Sequence, residues 1–123
     1  MSKFLPDAAQ RFAQQWIDGW NAHDIDAVLE HYAEDFEFSS PYIATIAGYG
    51  SGTLKGKDAI REYWTKALER IPELHFQLVD IMIGIGCVTL YYQGHRGMVA
   101  ETFLFDTNMN KVTKAWACYS VHQ

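Results

Sequence analysis

Large apolar residues near the start of the chain return every three to four positions. Phe12, Trp16 and Trp20 stand four apart, with Ala9, Ala13 and Ile17 beside them, which makes one stripe of a helix. Pro6 and Asp7 suit the first turn, where a missing N–H costs nothing and a carboxylate meets the positive end of the helix dipole. The helix is expected to stop near Asn21-Ala22-His23. Asp24 then caps a shorter helix with Ile25, Val28, Leu29 and Tyr32 on its buried face. From Phe36 to Ser40 the period changes to two, with Phe36, Phe38 and Ser40 on one side of a strand that Pro41 ends. Residues 42–55 hold Gly48, Gly50 and Gly52, have no clean period, and read as a long rim loop or lid.

Helical spacing returns from Lys57 to Arg70, where Ile60, Tyr63, Trp64, Ala67, Leu68 and Ile71 form the stripe and Pro72 closes it. Beyond Leu74 the pattern is β. Phe76 and Leu78 share one parity and Val79, Ile81 and Ile83 the other, a slip that predicts a bulge at Leu78–Val79. Gly84-Ile85-Gly86, Gly94-His95-Arg96-Gly97 and Asn108-Met109-Asn110 punctuate strands at 87–93, 98–106 and 111–122. Helices first and a meander last predict an α+β domain with its helices on one face of the sheet, in the order α-α-β-α-β-β-β-β. At 123 residues the chain is one domain, 1–123, with no internal repeat or linker.

Composition narrows the function classes. Half the residues are apolar and 15% are aromatic, enough for one substantial core and incompatible with intrinsic disorder. The net charge is −5 and there is no basic run, so neither a nucleic-acid partner nor an anionic membrane surface is expected. The apolar stretch Ile81–Tyr92 is too short to span a bilayer. The segment Met1–Asp7 lacks the apolar core of a signal peptide, so the expectation is a cytoplasmic protein. Cys87 and Cys118 fit no metal spacing and read as half-buried free thiols. No two histidines have ligand spacing, so no metal is expected, and no organic cofactor motif is present. Gly48–Gly52 does not lead a strand into a helix and is no phosphate cradle, and Ser51 within it has no activating base.

Three stretches carry a family resemblance. They are Trp20-Asn21-Ala22-His23-Asp24 running on to Tyr32-Ala33-Glu34-Asp35, Gly56-Lys57-Asp58-Ala59-Ile60-Arg61-Glu62-Tyr63-Trp64, and Tyr92-Gln93-Gly94 before a hairpin. In order and spacing the chain resembles the SnoaL-like branch of the NTF2-like (cystatin-like) superfamily over nearly its whole length. The resemblance implies a cone: three N-terminal helices on a curved, mixed, mostly antiparallel sheet, open at one end. It also implies a homodimer through the outer sheet face. It does not fix a function, because this fold hosts isomerases, cyclases, hydrolases, dehydratases and binding domains. Against the ketosteroid isomerases of the superfamily, the position of the general base falls on Ser40, that of the oxyanion tyrosine on Trp16, and that of the second, acidic oxyanion donor on Glu101. Only the last keeps its chemistry, so isomerisation by that mechanism is not expected.

Glu101 shares a strand face with Val99, Phe103 and Phe105. On an apolar pocket wall its pKa rises and it becomes a proton donor or shuttle; at a sheet end it pairs with Arg96 or a lysine instead. Trp16, Phe38, Ser40, Tyr63, Val88, Leu90, Tyr92, Phe103 and Tyr119 are the expected pocket wall under the resemblance. Aromatics with polar tips suit a small, hydrophobic, partly polar ring compound. Trp116 and Cys118 fall on the opposite face of the last strand. His31 lies off its helix stripe and reads as exposed; His75, at the start of a strand, is the imidazole to watch as a base. Three functions follow as expectations: acid/base chemistry of an isomerase, cyclase or lyase type on a hydrophobic cyclic or carbonyl compound, ligand binding without catalysis, or a protein-interaction module.

Overall fold

The computed structural model describes residues 6–46, 48 and 50–122. The readings on Met1–Leu5 and on Tyr49 of the glycine-rich loop fall outside them. The elements are α1 (Pro6–Asn21), α2 (Ile25–Leu29), β1 (Tyr32–Ser39), α3 (Pro41–Ile46), β2 (Thr53–Lys55), α4 (Lys57–Arg70), β3 (Gln77–Gly84), β4 (Cys87–Gln93), β5 (Met98–Phe105) and β6 (Val112–Tyr119). The six strands form one sheet in the order β2-β1-β6-β5-β4-β3. Only β1 and β6 pair in parallel; the other neighbours are antiparallel. The α+β class and the mixed, mostly antiparallel sheet therefore stand as read from the sequence. No helix among the described residues is long and apolar enough to cross a membrane.

The predicted stripe of α1 is buried as a unit: Ala9, Phe12, Ala13, Trp16, Ile17 and Trp20. Its end is fixed from two directions. His23 takes a left-handed conformation (φ 57°), and the Asp24 amide reaches back to the Gly19 carbonyl at 2.9 Å. The Asn21 side chain then clasps the backbone of Phe76 on both sides, donating to its carbonyl at 2.9 Å and accepting from its amide at 2.7 Å. Asp24 caps α2 as expected, accepting from the Ala27 amide.

Three expectations are corrected. Tyr32 is not on the α2 stripe; it opens β1, which begins four residues earlier than the alternation at Phe36 suggests. The register against β6 slips between Tyr32 and Glu37, so the buried residues Tyr32 and Phe36 are separated by exposed Glu34 and Asp35 and the period of two is masked. Ser40 lies just past β1, although it is buried as predicted. The 42–55 stretch is not one loop: it holds most of α3 and all of β2, giving four helices and six strands in place of three and five. Its six-residue helix and three-residue strand are too short for a periodic signal.

The bulge is where the sequence put it, at Val79, between the Leu78–Tyr92 and Asp80–Tyr91 pairs. Val79 itself is exposed there. His31 is half-buried, not exposed: the Phe12 ring meets it edge-on at 5.2 Å, and burial, followed by the nearby Lys111 charge, lowers its pKa. Cys87 is half-buried as read, but Cys118 is exposed; both are free. Trp116, Tyr91 and Met82 are exposed on the outer face, where the resemblance expects a second copy.

Candidate active site

Inside the cone the sheet offers one row of inward residues per strand. On β5 these are Val99, Glu101, Phe103 and Phe105, all buried. Helix α1 fills one end: Phe12 sets its ring edge-on to Phe103 at 5.0 Å and to Phe105 at 5.1 Å. Towards the other end α1 stops, and a cavity of about 330 Å³ remains between the sheet, α1, α3 and α4. Its wall takes the last inward residue or two from each central strand: Phe38 from β1, Tyr92 from β4, Val99 and Glu101 from β5, Tyr119 from β6. Trp16 and Trp20 come from α1, Tyr42, Thr45 and Ile46 from α3, Tyr63, Trp64, Ala67 and Arg70 from α4. Phe76 precedes β3, and Gly94-His95-Arg96-Gly97 of the β4–β5 hairpin completes the mouth.

Of the predicted wall, Trp16, Phe38, Tyr63, Tyr92 and Tyr119 do line this cavity together with Glu101. Val88, Leu90 and Phe103 do not. They point to the same side of the sheet but lie deeper along their strands, in packed core. Ser40 is not in the wall either. Its Oγ lies 3.3 Å from the Tyr119 hydroxyl and accepts from the Tyr42 amide at 3.3 Å, so it holds two wall residues in place. Tyr42 in turn meets the Tyr119 ring at 4.5 Å. His75 is exposed and outside the cavity.

Glu101 is 4% exposed. It pairs with no cation among the described residues, so the pairing with Arg96 is overturned. Its partner is the Tyr92 hydroxyl, which donates to Oε1 at 2.9 Å. Burial pushes the carboxyl up to about 8, against the smaller opposite pull of that hydrogen bond. At pH 7 Glu101 is mostly protonated. It accepts from Tyr92 and still carries an O–H to give. Burial, and then the Glu101 carboxyl, raise the Tyr92 phenol well above its usual value; burial likewise raises Tyr119, and Tyr63 to about 12, so all three remain neutral donors.

The indole N–H of Trp16, which stands at the resemblance's oxyanion position, is already used: it donates to the Tyr32 hydroxyl at 2.9 Å in full burial. The Trp16 ring still packs on Tyr92 at 5.4 Å and lies nearly parallel to Phe76. Trp20 Nε1 is buried with no hydrogen-bond acceptor among the described residues, and its ring meets Trp64 edge-on at 4.9 Å. No group of three or more His, Cys, Asp or Glu side chains that could hold a metal ion exists among the described residues.

The sequence reading missed Tyr42, Arg70 and Phe76 as wall residues, and His95 and Arg96 as parts of the mouth. Tyr42 was hidden in a segment without period. The others sit at element ends, where position in the wall depends on which distant ends meet.

The chain matches the SnoaL-like domain model over residues 13–121 and belongs to that family. It is similar over 97% of its length to a SnoaL-like protein of unknown function from Burkholderia thailandensis E264, with 44% identity, 99% of that chain covered and a TM-score of 0.91. An NTF2-like protein from Anabaena variabilis ATCC 29413 shares 19% identity over 98% of this chain and 95% of that one, with a TM-score of 0.71. The epoxide hydrolase/cyclase-like enzyme SalBIII, which has a role in pyran ring formation in the polyether salinomycin, shares 16% identity over 94% of this chain and 92% of that one, with a TM-score of 0.70. The last two likenesses are of fold alone. No curated protein matches the chain significantly.

Proposed function

We propose that this SnoaL-like protein is an enzyme that performs acid/base chemistry on a hydrophobic cyclic carbonyl compound, with Glu101 as the acid/base residue. One observation carries the reading: a carboxyl 4% exposed, hydrogen-bonded among the described residues only by Tyr92, on the wall of an aromatic cavity, where burial favours its neutral form. A carboxylic acid kept protonated there can give its proton to a carbonyl oxygen while solvent water takes one from the neighbouring carbon, and the reverse transfers restore both groups. Tyr92 holds the carboxyl in one orientation. Ser40 fixes the Tyr119 hydroxyl across from it, so that a flat ring meets polar tips on an apolar wall. The fold-level likeness to a cyclase-like enzyme is compatible with this chemistry and does not carry it.

The second reading is a ligand carrier with the same cavity. It is favoured by Ser40 standing where a base would be needed, and by the cavity wall holding no second carboxyl; its one imidazole, His95, lies at the mouth beside Glu73.

The test is hydrogen–deuterium exchange at the α-carbon of 2-tetralone in D2O, followed by NMR. The expected result is saturable exchange above the buffer rate, reduced about 100-fold or more in Glu101→Gln. Exchange at the buffer rate, or exchange indifferent to Glu101→Gln, would remove the enzyme reading and leave the carrier.

A further inference from the structure

The charge on the cavity wall runs against the charge of the whole molecule. The chain carries −5, yet among the described residues the only side chains with permanent charge in the wall are two arginines, Arg70 at the end of α4 and Arg96 in the β4–β5 hairpin. Both are exposed, and among the described residues neither has a carboxylate within ion-pair distance. By contrast, Arg61 pairs with Asp26, Lys66 with Glu62 and Lys114 with Glu37 elsewhere on the surface. Beside them at the mouth, His95 Nε2 lies 4.0 Å from the Glu73 carboxylate.

Resting on the acid/base reading of the same site, we propose that its substrate class is an amphiphilic carboxylate. A ring body occupies the aromatic cavity against Trp16, Tyr92 and Tyr119, and the carboxylate is held at the mouth by Arg70 and Arg96. Planar guanidinium groups match a carboxylate in geometry and carry charge at every accessible pH. A neutral Glu101 inside adds no repulsion towards an anion, whereas an ionised one would. An apolar wall with positive charge confined to its entrance also orients the ligand, ring first, so that the end remote from the carboxylate reaches Glu101.

The experiment is calorimetric titration of the whole protein with 2-naphthoate and its neutral isostere 2-naphthamide at pH 7.5, in low and high salt. Naphthoate is expected to bind at least tenfold more tightly than the amide, with the difference shrinking in high salt. In the double variant Arg70→Gln/Arg96→Gln the two ligands are expected to bind alike, at the wild-type affinity for the amide. A thermal melt of that variant checks that its fold is kept, which the exposure of both side chains leads one to expect. Equal affinity of the two ligands for the wild type, binding of neither, or a preference for naphthoate that survives the double substitution would overturn the proposal. Exchange on 2-tetralone is read against Glu101→Gln and needs no carboxylate on the ligand, so failure of the acid/base reading registers there and not here.

Discussion

The two ends of the cone interior are built on the same strands and differ in what faces them. At the closed end Phe12 stands over Phe103 and Phe105, and Val88, Leu90 and Val112 complete a packed apolar core. At the open end the equivalent rows finish in Glu101, Tyr92 and Tyr119, against a space of about 330 Å³. Hydrophobic area is buried at both. What separates them is that α1 ends at Asn21 and no side chain replaces it beyond. Polar atoms of the sheet are tolerable at the open end because they pair with one another: Tyr92 with Glu101, Tyr119 with Ser40. The division into stabilising and reactive halves thus arises from where one helix stops, two residues along each strand.

The largest expected effect lies at the closed end. Phe103→Ala removes a fully buried ring that meets both Phe12 and Trp16, and should cost about 3–5 kcal/mol in urea unfolding. That cost should be the same at pH 5 and pH 8, since the rings that Phe103 meets, Phe12 and Trp16, do not titrate. A loss below about 1 kcal/mol would mean that the closed end is not the packed half.

At the open end the corresponding signature is pH dependence. The folded state holds Glu101 at about 8, against 4.5 for the unpaired carboxyl. Between those values the native state binds more protons than the unfolded one. This group's contribution to stability is therefore complete below about 4.5 and is lost as pH rises to about 8, with a slope of at most about 1.4 kcal/mol per pH unit. His31, with its lowered pKa, acts in the opposite sense below 6.5, so the comparison to make is wild type against Glu101→Gln across the range. The gap between the two unfolding free energies should change steadily from pH 5 to pH 8; a constant gap would mean that Glu101 is ionised like a surface acid.

The smallest effect concerns the support of the wall. Ser40→Ala leaves the Tyr119 hydroxyl without its neighbour and should cost about 0.5–1.5 kcal/mol with no change in the pH profile. A pH-dependent loss would tie Ser40 to Glu101 instead.

How much of this was legible follows the same division. The stripe of α1 and the alternation through Val99, Glu101, Phe103 and Phe105 are local periodicities, and the sequence displays them. Which members of a row border packed atoms and which border open space is not local. Phe103 and Glu101 point the same way, and only the position of Phe12 and the end of α1 distinguish them, which is why Val88, Leu90 and Phe103 read as wall. Arg70 and Arg96 were harder still, since the end of a helix and the tip of a hairpin, 26 positions apart, line one cavity only in the folded chain. His31 was misread because the ring that covers it, Phe12, comes from another helix.

The bulge at Val79 has a consequence for how the protein lives at high concentration. β3 closes one side of the sheet and exposes Val79, Met82 and Ile83, a sequence that as a straight ribbon would recruit further chains. The extra residue breaks the ladder's regularity, and the Asp80 carboxylate occupies the Ile81 amide at 2.8 Å while placing a charge on the border. At the opposite border β2 is three residues long, too short to template a partner. An open sheet that must stay curved around its contents is thereby kept from growing sideways into aggregates.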